Sequence, residues 1–267
     1  MKMYLSYFIL KFKLGLQYRA AALAGISTQF FFGFVYISVY IAFYNSNSGN
    51  IPMSLEGLVT YIWLGQAFFA LIYLWYRDRE LINLIKTGNI AYELVRPQKL
   101  YFMWIAKIFG ERLSNVTLRF LPVLVVAAIL PGAYKLHLEI TLIRLILFII
   151  AMILATFLMV SLVTLYHVIC IYTLDEKGII NMFMTLSDVL SGLVLPIPFF
   201  PLFLQKIANV LPFRYITDFP FRLYIGDITY SNCLISMLVQ IIWITILTIL
   251  GYLLTKKALK KIVVQGG

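Results

Sequence analysis

The sequence predicts an all-α membrane protein: six transmembrane helices, an amphipathic interfacial helix at the N-terminus, a long cytoplasmic segment and an external re-entrant segment before the last span. Three observations carry this. Of 267 residues, 62% are hydrophobic and 16% aromatic, and the charged share of 12% is about half the roughly 25% of soluble domains. Apolar runs near the roughly 20 residues that cross a hydrocarbon core recur along the chain. The 22 Lys and Arg residues, against 11 Asp and Glu, are divided unequally between the connections. A soluble domain is excluded, and the net charge of +11 speaks of the lipid bilayer rather than of nucleic acid.

Residues 1–19 place Leu5, Phe8, Ile9, Phe12 and Leu16 at helical spacing, with Lys2, Lys11, Lys13 and Arg19 available to headgroups. That pattern suits an interfacial helix; a basic flank that orients the first span predicts the same sidedness. Spans follow at 20–44, 57–76, 113–131, 144–172, 179–198 and 231–254. The first run is too long for the core of a cleaved signal peptide, so the N-terminus is read as retained. The third span is the least regular, because Lys107, Glu111, Arg112 and Arg119 precede or enter it and Pro122 interrupts it. Its helix is expected to begin near Tyr101 at the membrane surface and tilt inward.

Four basic residues precede the first span, eight lie in 77–119, one is Lys177 and four follow the last span. The opposite side holds Lys135, Arg144, Lys206, Arg214 and Arg222. Seventeen against five places both termini in the cytoplasm.

Two connections are long. The cytoplasmic one, 77–112, carries Leu81, Ile82, Leu84 and Ile85 as an apolar set, Gly88 as a helix stop and a second short element ending at Arg96-Pro97. Such a hairpin either transmits a push from a soluble partner into the bilayer or simply covers the membrane face. The external one, 197–230, is divided by Pro198, Pro201, Pro212 and Pro220 into apolar stretches too short to span. A re-entrant or interfacial helix pair packed over the bundle fits it; a plain interfacial loop is the alternative.

Within the fifth span Asn181, Thr185, Asp188 and Gly192 share one helix face. An acid at that depth costs about 2.5–3.5 kcal/mol on insertion scales, so Asp188 should face the bundle interior or a wet cavity. A polar substrate path and interhelical hydrogen bonding both explain the stripe. In the first span Ala22, Gly25, Gln29, Gly33 and Tyr36 align, a small-residue face suited to helix packing or a subunit interface at Gly25, Gln29 and Gly33. His167 is the only intramembrane histidine; a structural hydrogen bond or a proton relay would account for it, the latter on the substrate path.

Catalytic motifs are missing. No paired intramembrane aspartates, HExxH or GxxxxGK[ST] occur, so the chain is expected to be non-catalytic and to lack a nucleotide-binding domain. Cys170 and Cys233 fall near opposite membrane faces, which argues against a disulfide, and no Cys/His cluster supports a metal site. Residues 1–267 read as a single transmembrane domain.

Two stretches, GNIAYELVRPQKL at 88–100 and LPFRYITDFPFRLYIGDI at 211–228, give the whole arrangement a resemblance. It resembles the membrane subunit of a type-2 ABC transporter, of the bacterial antibiotic and multidrug export type. Residues 88–97 look like that family's G-x-I-x-x-x-L-x-R-P pattern. Residues 212–226 look like its P-x-x-Y-x-x-x-x-P-x-x-x-Y-x-G pattern, which places Pro212, Tyr215, Pro220, Tyr224 and Gly226, with Arg214 and Arg222 between them, in the external segment.

By that resemblance 77–100 is the coupling helix region, seated on a separate ABC ATPase dimer with Arg79, Glu80, Glu93, Arg96 and Pro97 at or near the contact. The resemblance further implies ATP and Mg on that partner and no cofactor on this chain. It implies a second permease chain, related but different or a second copy, in the bacterial inner membrane. Export of an amphipathic drug, antibiotic or antimicrobial peptide by alternating access is the function implied. An ATP-independent carrier or channel, or a non-transport scaffold, is the competing class; a carrier predicts internal repeats and discontinuous helices near mid-membrane.

Overall fold

The computed structural model describes residues 2–46, 51–87, 89–90, 98–137, 140–173 and 176–259. Among these every regular element is helical. In chain order they are α1 (Lys2–Gly15), α2 (Arg19–Ser46), α3 (Leu55–Ala67), α4 (Phe69–Ile72) and α5 (Arg79–Lys86). Then come α6 (Leu100–Ile129), α7 (Leu142–Thr173), α8 (Glu176–Leu190), α9 (Leu202–Val210), α10 (Asp218–Ile225) and α11 (Tyr230–Leu259).

Four of them, α2, α6, α7 and α11, are long and apolar enough to cross a membrane. The centre is α7: 61% of its most apolar stretch is buried, against 17%, 28% and 22% in the other three. Polar groups lock it to its neighbour, since Gln240 of α11 donates to Ala151 O at 3.1 Å and Ser161 meets Thr248 at 3.2 Å. As the sequence led one to expect, α6 begins at Leu100 next to Tyr101. Pro122, however, lies inside α6 without ending it.

The second and fifth apolar runs depart from the continuous helices expected of them. The run at 57–76 is a 13-residue helix, α3, the short α4, and then chain without regular structure from Tyr73 to Arg77, turned where Tyr76 N–H meets Leu74 O. Thirteen residues reach only about 20 Å. The run at 179–198 ends its helix at Leu190, and Gly192 adopts φ 80°, a left-handed backbone open to glycine. Gly192 therefore lies beyond the helix that was to carry it on one face with Asn181 and Asp188.

One end of the bundle gathers α1, α5, the start of α6 and the ends of α7 and α11. There Tyr172 donates to Leu254 O at 2.6 Å and the Lys99 ammonium lies 5.3 Å from the Tyr252 ring centre. The other end gathers the turn after α6, the start of α7 and the start of α11. Trp63 donates to Tyr134 O at 2.8 Å, and the Arg144 guanidinium stands 5.8 Å from the Tyr230 ring. The segments rich in Lys and Arg thus share one end. At that end α1 runs beside α6, with Phe8 against Phe109 at 5.7 Å, and a Cβ at Gly110 would come within 2.7 Å of Phe8 O. Met3, Leu5, Ile9, Leu10 and Leu14 stay exposed, as an interfacial helix requires.

The proline-rich segment folds into α9, α10 and two short 3-10 turns, Ile197–Phe199 and Phe213–Tyr215. Its prolines sit where no helical bond is lost: Pro201 and Pro212 precede helical turns, and Pro220 lies in the first turn of α10.

Candidate functional site

Helix α5 begins at a buried acid. Asp78 is its N-cap, accepting from Leu81 N–H at 3.0 Å, while Glu80 in the first turn and Lys86 in the last complement the helix dipole. Leu81, Ile82 and Ile85 turn inward, and Leu81 and Ile85 join a cluster with Tyr101, Trp104 and Val168 from α6 and α7. Three of the four apolar residues read from the sequence are therefore the seated face, Leu84 is half-buried, and Asn83 lies on the exposed side.

Lys107 of α6 ties this helix to the bundle. Its ammonium stands 2.7 Å from Asp78 Oδ2 and 2.7 Å from Glu80 Oε2. Lys11 of α1 reaches the same Glu80 oxygen at 3.4 Å and Glu111 at 3.9 Å. The hydrogen bond from Lys107 is the main cause that holds the Glu80 carboxyl below the usual range. Behind Asp78, its backbone N–H donates to His167 Nε2 at 3.3 Å, and His167 Nδ1 lies 2.8 Å from Val163 O. Nε2 accepts and Nδ1 donates, so His167 is a neutral ring that fastens α5 to α7. Three helices, α1, α6 and α7, thereby grip the start of α5.

The chain leading into α5 is unwound, and its freed carbonyls find side-chain donors. Arg112, 5% exposed, donates to Ala70 O at 3.0 Å. Tyr166 donates to Leu74 O at 3.1 Å and also to Tyr76 O, and the Tyr76 hydroxyl meets the Glu111 carboxylate. The break after α8 obeys the same rule. Tyr61 donates to Gly192 O at 2.7 Å, Tyr40 to Val194 O at 3.3 Å and the Asp218 backbone N–H to Ser191 O at 3.0 Å. Irregular backbone within a membrane protein is tolerated where protein groups satisfy it in this way.

Between α2 and the two breaks lies a cavity of about 490 Å³. Asp188 lines it, with both carboxylate oxygens accepting from Trp75 Nε1 at 3.1 Å. Gln29 reaches it from α2.

Above the second break, Asp218 is fully buried at the start of α10. Its carboxylate accepts from Ile197 N–H at 3.1 Å and stands 3.6 Å from Arg214 and 3.7 Å from Arg222. Tyr215 donates to Asn209 O at 2.8 Å, its own carbonyl accepts from Gln240 at 2.8 Å, and Tyr224 packs on Phe148 at 5.2 Å. Gly226 closes α10 with φ 93°, and a Cβ there would meet Arg144 at 2.5 Å. Pro212 through Gly226 form one compact knot over the bundle.

A family model described as "ABC-2 family transporter protein" matches residues 54–266. The chain belongs to the ABC-2 transporter family. It is accordingly a multi-pass membrane transport subunit and not itself a catalyst. The match starts at Ser54, the N-cap of α3, and so takes in α5, both breaks and the external knot, while α1 and α2 precede it. Comparison with curated proteins gives no match.

In this ABC-2 chain the residues singled out by sequence fall into separate places. Arg79 and Glu80 open α5, and Glu80 engages Lys107 and Lys11 of its own chain; Glu93, Arg96 and Pro97 lie outside the described residues. Asn181 accepts from Arg77 at 2.9 Å, Thr185 is exposed, Asp188 lines the cavity and His167 belongs to the α5 mount. Gly25 and Gly33 serve contacts within the chain, their missing Cβ atoms making room for Arg119 and Trp63. Sequence reasoning overlooked Asp78, Lys107 and Asp218 as site residues. An acid directly before an amphipathic helix signals an N-cap, and Arg214, Asp218 and Arg222 stand at spacing four. Lys107 carried no signal beyond irregularity in its span.

Proposed function

We propose that this chain is the permease subunit of an ATP-driven ABC exporter that moves an amphipathic compound (drug, antibiotic or antimicrobial peptide) out of a bacterial cell by alternating access. The observation that supports it is the mount of α5: a short amphipathic helix with an exposed outer face, joined by Lys107, Asp78 and His167 to α6 and α7. A helix seated in this manner moves with the bundle when pushed. The partner would be a dimeric ABC ATPase that binds ATP and Mg, this chain holding no cofactor, and Arg79, Glu80, Glu93, Arg96 and Pro97 would lie at or near the contact. A second permease chain, related but different or identical, completes the core. Both termini lie in the cytoplasm of the inner membrane, six passes counting α3–α4 and α8 with its unwound continuation.

In this mechanism ATP binding closes the ATPase dimer, α5 follows, and the bundle is biased outward-facing. Substrate and nucleotide favour different states, and the coupling between them is reciprocal for binding. The knot around Asp218 is the external gate. The two discontinuous segments also suit a gradient-driven carrier, the second reading; family membership weighs against it.

Purification of the tagged chain from native membranes in mild detergent, with partners identified by mass spectrometry and ATP hydrolysis assayed with vanadate, tests the proposal. A stoichiometric ABC ATPase with vanadate-sensitive turnover is expected, and charge reversal at Glu93 or Arg96 should weaken its association. Recovery of the chain without an ATPase in several detergents would overturn it.

A further inference from the structure

We propose that the cavity between α2 and the two helix breaks binds amphipathic organic monocations, held by the Asp188 carboxylate inside an aromatic cage and oriented by the Gln29 amide. This names a substrate class for the permease and rests on the function proposed above.

The cavity has the volume of a small-molecule site, about 490 Å³. One wall is Phe32 and Tyr36 of α2, stacked 6.1 Å apart. A second wall is Phe69 of α4 with Tyr73 and Trp75 from the unwound stretch, stepping 4.4 Å and 5.0 Å between ring centres. Aromatic faces carry negative electrostatic potential and attract a cation, more strongly once it is desolvated.

Asp188 supplies the charge. Other acids packed into the protein have basic partners: Asp78 with Lys107, Glu111 with Lys11, and Asp218 with Arg214 and Arg222. Asp188 has only the neutral indole of Trp75, and among the described residues no Lys or Arg pairs with it. A bound cation completes the pair and leaves the Trp75 bond in place.

Gln29 is the independent observation. It is 3% exposed, lines the cavity, and neither its Nε2 nor its Oε1 has a partner in the chain. Buried amides are nearly always hydrogen-bonded, so an unpartnered amide in the cavity wall, which a turn of its side chain would present to the cavity, marks where a ligand's polar group fits. Gln29, Phe32 and Tyr36 lie before residue 54, outside the segment matched to the family. An anion would meet both the carboxylate and the ring faces, and is excluded by the same groups.

Tetraphenylphosphonium and tetraphenylborate have one shape and opposite charge. Equilibrium binding of each to the full chain in uncharged dodecyl maltoside, without nucleotide, separates charge recognition from hydrophobic partitioning. Saturable binding of the phosphonium alone is expected. Asp188→Asn should weaken it by about tenfold or more, with Asp188→Glu within about threefold of wild type, and Gln29→Leu should weaken it less than Asp188→Asn.

Equal affinity in Asp188→Asn and wild type, a preference for the borate, or no saturable phosphonium binding would overturn the proposal. Displacement by added phosphatidylethanolamine would assign the site to a lipid headgroup and overturn a transported cation as its occupant. ATPase association, measured on the same preparations, keeps the two readings apart. An associated ATPase without phosphonium binding sinks the cation site alone, and phosphonium binding without an ATPase sinks the permease reading alone.

Discussion

Lys107 and Asp78 stand 2.7 Å apart with side chains only 7% and 4% exposed, so the residue that caps α5 is also the residue that anchors it to α6. Start of helix and point of attachment are one carboxylate, and a displacement of α5 cannot leave α6 behind without separating a buried ion pair.

Removing one member of such a pair leaves an uncompensated charge, which costs about 3–5 kcal/mol. Lys107→Met should therefore lower the thermal stability of the detergent-solubilised chain sharply. The double change Asp78→Asn with Lys107→Met should recover part of the loss, because neither charge is then stranded. Fluorescence-detected size exclusion after heating reads both; equal loss in the single and double variants would show that the pair is not what Lys107 contributes.

Glu80 gives the mount a pH dependence. Its folded-state carboxyl is held below the usual range, chiefly by the Lys107 hydrogen bond. Its contribution is therefore fully present above the unfolded-state value and is lost as pH falls through the lowered one. The side chain is 64% exposed, so solvent screens the effect and it is small. Melting temperature against pH should fall less steeply on acidification in Glu80→Gln than in wild type, and parallel curves would remove Glu80 from the account.

Much of this was legible in the sequence, and the failures share one cause. Hydropathy located α2, α6, α7 and α11, and helical spacing located the buried face of α5, because burial against lipid or protein leaves a periodic trace. The breaks at Phe68 and after Leu190 left no such trace. What permits them is the side chain that takes each freed carbonyl, and Arg112, Tyr166 and Tyr61 stand 42 to 131 residues from the groups they serve. Asp188 was read correctly as a residue seeking a cavity, while Gly192 was placed on its helix only because the stop was invisible. Pro122 shows the converse: a helix breaker by propensity, it is carried inside α6.

Gly192 should tolerate no side chain. Its φ of 80° costs an L-residue roughly 1–2 kcal/mol, and a Cβ there would lie 2.8 Å from the Tyr61 hydroxyl and 2.9 Å from Asp218 Cβ. Gly192→Ala is expected to lower thermal stability by more than the backbone term alone, and Tyr61→Phe in the same background should recover little, since Asp218 still obstructs the methyl. An unchanged melting temperature would mean that the break is free to rearrange.

Asp218 should be the least replaceable acid of the external knot. Asp218→Ala strands Arg214, 13% exposed, leaves Arg222 with Asp227 alone and frees the Ile197 N–H, a loss on the order of 3 kcal/mol or more. Asp227→Ala, which removes only the exposed pair with Arg222 at 3.3 Å, should cost under about 1 kcal/mol. Comparing the two by limited proteolysis and thermal melting checks the ranking; similar losses would deny the buried carboxylate its role.

The claim that an ATPase acts on this chain through α5 is tested most directly by photocrosslinking in native membranes. A photoreactive side chain at Asn83, on the exposed face of α5, should yield an adduct whose mass and tryptic peptides are those of an ABC ATPase. The same group at Val210, exposed on α9 at the opposite end, should yield none. An ATPase adduct from Val210, or its absence from Asn83 while an ATPase co-purifies, would contradict the account.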